Sequence, residues 1–235
     1  MKANNLSISI PYKGCDKDCQ YCVSKMTGYM KSNEDQFFVN LTKAKKMVEI
    51  AGVTSISITG KGEPTLSMGA IYGVCSFFHE YPIELQTNGL RLKKDLGIIE
   101  ELANNGIDIF AISMDKISDF EDMKDVITKI NELGKIARVT MNVTDMLPDP
   151  KDLNFKNYIE LCKVHGVEQF SFRHITIVNH TKETSTHAWI RSHVENNLYY
   201  DQLIDQFEKI QRDEYRWRMI RSLPYGAKLY DVDGI

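Results

Sequence analysis

Apolar and polar residues trade places along this chain in two rhythms, one of period two and one of period near 3.6. Leu6–Ile10 alternates strictly, as a half-buried strand does. From Phe37 to Ala51 the apolar groups fall at Leu41, Ala44, Met47, Val48 and Ala51, a helical stripe. Ser55–Thr59 returns to alternation and Gly60–Pro64 breaks it. Ile71, Val74, Cys75 and Phe78 form a second stripe, followed by a strand over Ile83–Thr87 that ends in the turn pair Asn88-Gly89. The same exchange predicts helices near Lys94–Asn104 and Asp119–Leu133, with strands over Ile107–Ser113 and Arg138–Val143. Beyond the Pro148/Pro150 loop, Phe155, Tyr158, Ile159 and Cys162 mark another helix, and Gln169–Val178 reads as the sixth strand.

Six β/α units in series predict a parallel sheet with right-handed crossovers. A sheet covered by helices on both faces is apolar on both. Here Ser7/Ser9, Ser55/Ser57/Thr59, Arg138/Thr140/Asn142 and Gln169/Ser171/Arg173 make one strand face polar. That pattern favours a sheet curled around a ligand-holding interior. Six units are fewer than the eight of a closed α/β barrel. The expected fold is therefore α/β, a partial (β/α)6 barrel open on one side, although Ile107–Ser113 does not show the polar face cleanly. After Val178 the stretch Asn179–Asn196 is polar and holds His180, His187 and His193, so it reads as a loop at the barrel mouth. A helix over about Leu198–Arg212 and a strand-like piece, Ala227–Val232, complete the pattern. The division expected is a core over residues 1–196, mouth loop included, and a helix-and-strand extension over 197–235 packed on it. The abrupt end at Asp233-Gly234-Ile235 is compatible with a truncated chain.

With 235 residues, 43% apolar and 26% charged, the chain has the makings of an ordinary globular protein with a substantial core. A net charge of −3 argues against general nucleic-acid binding. No apolar run approaches membrane-spanning length, and Met1-Lys2-Ala3-Asn4-Asn5 does not open a signal peptide, so a cytoplasmic location is expected. In a reducing compartment clustered cysteines are metal ligands or catalytic groups more often than disulfides. Of five cysteines, Cys15, Cys19 and Cys22 lie within eight residues at the spacing C-x3-C-x2-C, while Cys75 and Cys162 fall on apolar helical stripes and read as core.

Three thiolates on one loop after a strand can face one point. A structural metal site closes its coordination shell, whereas a reactive one keeps a position open. Iron–sulfur clusters are held by cysteines at short spacings, and three ligands leave one iron of a 4Fe–4S cluster without a protein ligand. The segment Cys15-Asp16-Lys17-Asp18-Cys19-Gln20-Tyr21-Cys22 resembles the cluster loop of radical S-adenosylmethionine enzymes, including the aromatic residue before the last cysteine. Gly60-Lys61-Gly62-Glu63-Pro64 resembles their Gly-Glu-Pro motif, with Lys61 where many members have a second glycine. Thr87-Asn88-Gly89, Ser113, Asp115 and Asn142 also stand at family-like places, and the likeness spans roughly residues 5–180.

The resemblance implies a 4Fe–4S cluster on Cys15, Cys19 and Cys22, whose open iron binds the amino and carboxylate groups of S-adenosylmethionine. It implies reductive cleavage to a 5′-deoxyadenosyl radical that takes a hydrogen atom from substrate, with the electron supplied by a donor such as flavodoxin or ferredoxin. Cofactors of this kind carry the chemistry and the protein positions them. Gly62 would let backbone approach the methionyl amino group, Glu63 would orient hydrogen bonds there, and Pro64 would stiffen the turn. Tyr21 would lie near the adenine, with the main chain at Ile177 and Val178 passing its edge. Thr87, Ser113 and Asn142 would complete the cofactor site, and Arg173, His174, His180 and His193 are the candidate substrate contacts.

The compact size resembles members acting on small nucleotide-like or deazapurine precursors, and also members that install a glycyl radical on a partner protein. Outside the resemblance, the competing reading is a zinc or iron–sulfur regulatory protein without turnover. Zinc knuckles usually add a second cysteine pair, and this chain has none. His180, His187 and His193 on their own read as solvated loop residues, and Arg212, Arg216, Arg218 and Arg221 as a solvated helix face.

Overall fold

The computed structural model describes residues 3–28, 33–178, 183–195, 199–213, 217–222, 228–232 and 234–235. Strand β1 (Asn5–Ile10) leads into the cysteine loop, a short helix α1 (Val23–Thr27) and the long α2 (Glu34–Ala51). Then come β2 (Ser55–Gly60), a 3-10 turn at Pro64–Leu66, and α3 (Met68–Phe78). Strand β3 (Ile83–Thr87) is followed by α4 (Leu90–Lys94) and α5 (Gly97–Asn104), and β4 (Ile109–Met114) by α6 (Ser118–Asp122) and α7 (Lys124–Glu132). Strand β5 (Ile136–Val143), α8 (Phe155–His165) and β6 (Gln169–His174) finish the series.

The six strands form one parallel sheet in sequential order, β1 through β6, and among the described residues β1 and β6 do not pair. This is the partial barrel that the six-fold alternation predicts. Its apolar residues point outward under the helices: Ile56, Ile58, Ile83, Leu85, Phe110, Ile112, Val139 and Met141 are all at most 0–1% exposed and join one core. The opposite face is polar and bonded within itself. Ser57 Oγ donates to Glu84 Oε1 at 3.2 Å, Gln86 Nε2 donates to the same oxygen at 2.9 Å, and Ser171 Oγ donates to Thr140 Oγ1 at 3.1 Å. Arg138 pairs with Glu84 and its Nε donates to Gln169 Oε1 at 2.8 Å.

Several boundaries differ from the sequence reading. The sixth strand stops at His174, four residues early; the helix predicted near Lys94–Asn104 forms as α5, preceded by a separate short α4, and the Asp119–Leu133 helix forms as two pieces. The mouth segment is not a loop where it is described. Residues Ser185–Ile190 form α9, which continues as a π-helical turn over Arg191–Glu195. Thr184 opens it with a capping box, its side chain exchanging hydrogen bonds with His187. Ile190 and Val194 bury themselves against Met26 and Ile175. His180 lies outside the described residues.

After this turn α10 (Tyr199–Asp213) packs Leu203 into the main core. Of the four arginines read as a helix face, Arg212 is in α10 and Arg216 lies outside the described residues, while Arg218 and Arg221 belong to strand β7 (Trp217–Ser222), paired antiparallel with β8 (Lys228–Val232). Trp217 and Val232 join Phe155, Ile159 and Phe207 in a second apolar cluster beside α8. Arg221 Nη2 donates to Asn4 Oδ1 at 3.2 Å, so the hairpin touches the chain just before β1. Among the described residues no helix is long and apolar enough to cross a membrane.

Candidate functional site

The C-terminal ends of the parallel strands are where ligands meet this architecture, because loops from several strands converge there. At that end a cavity of about 350 Å³ opens between the cysteine loop and the barrel mouth. Cys15, Cys19 and Cys22 line one side of it. All three thiols are free, whereas Cys75 and Cys162 are 3% and 0% exposed in the core. Burial raises the Cys15 thiol above its ordinary pKa, partly offset by a hydrogen bond from the Lys17 backbone. Burial also raises Cys19, against the pull of the Lys17 charge.

The loop after β2 is fastened directly to the cysteine loop. Glu63 N–H donates to the Gly14 carbonyl at 2.9 Å. A Cβ on Gly62 would overlap that carbonyl oxygen and stand 2.8 Å from the Tyr12 ring. The glycine is thus required by its own chain. Glu63 is likewise held by its own chain. Only 4% exposed, its carboxylate accepts from Thr65 N and Thr65 Oγ1 (3.1 and 2.7 Å), Thr87 Oγ1 (2.7 Å) and Asn88 N (2.9 Å). Its oxygens tie the loop after β2 to the loop after β3, and Thr87 is one of the tied groups.

A second network fixes the loop from the barrel side. Asp115, 8% exposed just beyond β4, accepts from the Tyr21 hydroxyl, from Asn142 Nδ2 at 2.9 Å, and pairs with Lys17 Nζ at 2.6 Å. Asn142 also donates to the Tyr21 oxygen at 3.0 Å. Burial, reinforced by the Asp115 charge, pushes the Tyr21 phenol far above its usual range. Burial works against the charge of Lys17, but its hydrogen bond and attraction to Asp115 raise its pKa on balance. The Tyr21 ring lies 5.9 Å from Trp189 of α9. Lys17, Trp189 and the carboxylate hub at Asp115 carry more of the site's architecture than sequence reasoning assigned them; a lysine inside a charged loop gives no signal of its own.

Ser113, Val178, Arg173 and His174 also line the cavity. The exposed His174 ring stacks on Tyr200 at 4.5 Å. Ile177 does not line it: its side chain packs with the Met26–Ile190 cluster. His193 is also elsewhere, stacked on Trp189 at 4.3 Å with its Nδ1 2.9 Å from the Trp189 carbonyl. Lys17, Lys61 and Arg173 line the cavity with Glu63; Lys17 is paired with Asp115, and the Lys61 ammonium donates to Thr27 Oγ1 and the Gly28 carbonyl.

The donor set decides what the residues fit. Three free thiols line one cavity, and thiolates are the donors that iron–sulfur clusters take.

The fold and this site define a partial α/β barrel with a three-cysteine loop at its mouth. The chain belongs to the radical SAM superfamily, whose family model matches residues 9–184. That family uses a 4Fe–4S cluster and S-adenosylmethionine. Among curated proteins, it is 25% identical to GTP 3′,8-cyclase of Pasteurella multocida over 81% of this chain and 58% of that enzyme. It is 30% identical to 7-carboxy-7-deazaguanine synthase of Clostridium acetobutylicum over 38% of this chain and 40% of the other. The crystal structure of Streptococcus suis SuiB bound to S-adenosylmethionine matches with a TM-score of 0.56 at 21% identity, covering 88% of this chain and 49% of SuiB, a likeness of fold. The chain thus spans well under two thirds of the length of these relatives.

Proposed function

We propose that this chain is a radical S-adenosylmethionine enzyme acting on a small, anionic, nucleotide-type substrate. The observation that carries the reading is the convergence of three free thiols and the Gly-Glu-Pro loop on one cavity at the strand ends. Cys15, Cys19 and Cys22 hold the cluster. Gly62, Glu63, Thr87, Ser113 and Asn142 shape the cofactor bed, with Tyr21 and the main chain at Ile177 and Val178 at its rim. Bound there, the cluster and S-adenosylmethionine supply one-electron reductive cleavage and hydrogen-atom abstraction, with the electron coming from a flavodoxin- or ferredoxin-type donor.

The chain's own residues do the rest. Asp115 and Lys17 hold the cysteine loop against the barrel, and Glu63 holds the two neighbouring loops together. Trp189 and α9 cover Tyr21 and keep water from that side. Arg173 lines the cavity, and a guanidinium is suited to phosphate or carboxylate. The names of the curated relatives, a GTP cyclase and a deazaguanine synthase, agree with such a substrate.

Anaerobic reconstitution tests the reading. The wild-type chain is expected to take up about four irons and, with reductant, to convert S-adenosylmethionine to 5′-deoxyadenosine. Cys19→Ala is expected to lose both, and cleavage retained in that variant refutes the assignment. For the substrate class, GTP is the probe: Arg173→Met is expected to weaken its binding on the order of tenfold or more, the worth of a charged hydrogen bond. GTP binding that ignores Arg173 removes that residue from the substrate site.

A further inference from the structure

Helix α1 starts at the last cysteine and stops five residues later. Cys22 is its N-cap, and Gly28, at φ 76°, ends it. So short a helix does not hold itself together in water, and its last carbonyls lack intrahelical partners. Lys61 supplies what is missing. Its ammonium donates to Thr27 Oγ1 and to the Gly28 carbonyl, both at 2.9 Å. Thr27 Oγ1 passes the link on by donating to Val23 O at 2.9 Å. A cation at this end also suits the helix dipole. The fastening is reciprocal, since Ser24, 1% exposed, donates its hydroxyl to the Lys61 carbonyl.

The neighbouring residues grip the other end of the same loop. Glu63 N–H bonds the Gly14 carbonyl, and Gly62 is packed against Gly14 and Tyr12. The cysteine segment is therefore bracketed by one three-residue stretch: Gly62 and Glu63 before Cys15, Lys61 after Cys22. A glycine at position 61 keeps the first grip and the main-chain half of the second, and loses the ammonium.

We infer that Lys61 is a positioning residue: it sets the axial rotation of α1, and through it the separation of the Cys22 thiolate from the Gly62–Glu63 backbone. The inference rests on the proposed reading of the cavity as a cluster and S-adenosylmethionine site. Lys61 touches neither group in this account. It acts on S-adenosylmethionine affinity through Cys22, and leaves the number of irons unchanged.

Two measurements on Lys61→Met, Lys61→Arg and Thr27→Val separate the outcomes. Hydrogen exchange on cluster-free protein reads the tie alone. Amides of residues 23–28 are expected to exchange at least tenfold faster in Lys61→Met, with Lys61→Arg close to wild type. On reconstituted protein, S-adenosylmethionine is titrated against the electron paramagnetic resonance signal of the reduced cluster. Lys61→Met is expected to keep the wild-type iron content and to raise Kd five- to tenfold, Thr27→Val to raise it less, and Lys61→Arg to restore it. Unchanged exchange in Lys61→Met overturns the tie. Faster exchange with unchanged affinity overturns the positioning role and leaves a local structural one. Wild-type protein that binds iron but not S-adenosylmethionine refutes the cofactor site itself, and the exchange data then judge the tie independently.

Discussion

Two populations of thiol follow from where the five cysteines sit. Burial pushes Cys75 up to about 11 and Cys162 up to about 12, so both stay protonated and shielded at neutral pH. A disulfide reagent at pH 8 is expected to titrate about three thiols in cluster-free native protein and five after denaturation, Cys15 fastest because it is the exposed one. Five reactive thiols in the native state would contradict the packing. The same shifts bear on stability. A thiol whose folded pKa is raised contributes fully below the unfolded value near 9 and loses that contribution as pH rises through its folded value. Urea midpoints are therefore expected to hold up to about pH 9 and to fall between pH 9 and 12. At this scale the sequence was legible wherever spacing carried meaning, as in the three cysteines and Gly62-Glu63-Pro64. It was not legible where long-range partners set the role. Nothing in a lone Lys17 announces Asp115, and nothing in Glu63 announces its four donors, because those contacts exist only once separate strand ends meet.

The elements were read well where burial follows a regular period and poorly where it does not. Ile56 and Ile58 are fully buried with Ser57 between them on the polar side, so the alternation of β2 had one meaning. Residues 185–195 carry few apolar groups among many polar ones, and a π-turn stretches their spacing, so composition suggested a loop. Arg218 and Arg221 sit at near-helical intervals by accident in β7, where pairing with β8 decided the outcome. The helix at the mouth gives its own prediction. Ile190 is 0% exposed against Met26, Ile175 and Val194. Ile190→Ala is expected to cost this segment about 2–3 kcal/mol, from lost burial and the cavity left behind. Exchange of amides 187–194 is expected to quicken by more than tenfold while the strands keep their protection. Uniform quickening across β1–β6 would show instead that this helix is part of the main cooperative unit.

The whole molecule turns on a barrel with a polar inside and an apolar outside. Its interior cross-link is the Glu84–Arg138 pair, joining β3 to β5, with side chains 12% and 30% exposed. Removing one partner strands a charge, and the partial exposure of Arg138 moderates the penalty. Glu84→Gln is expected to lower unfolding free energy by about 2 kcal/mol, and adding Arg138→Met to recover most of it. Equal losses in single and double variants, measured by urea unfolding, would mean that the pair is not the operative link. The six-unit count and the polar face were visible from the strand text, but Glu84 and Gln86, which complete that face, were hidden in a strand read for its apolar side. Among the described residues β1 and β6 leave the sheet unclosed. A closed cylinder has its girth fixed by strand number and stagger. A sheet with two unjoined margins has no such constraint, so its bore can widen or narrow by a change of twist without sacrificing a single ladder bond.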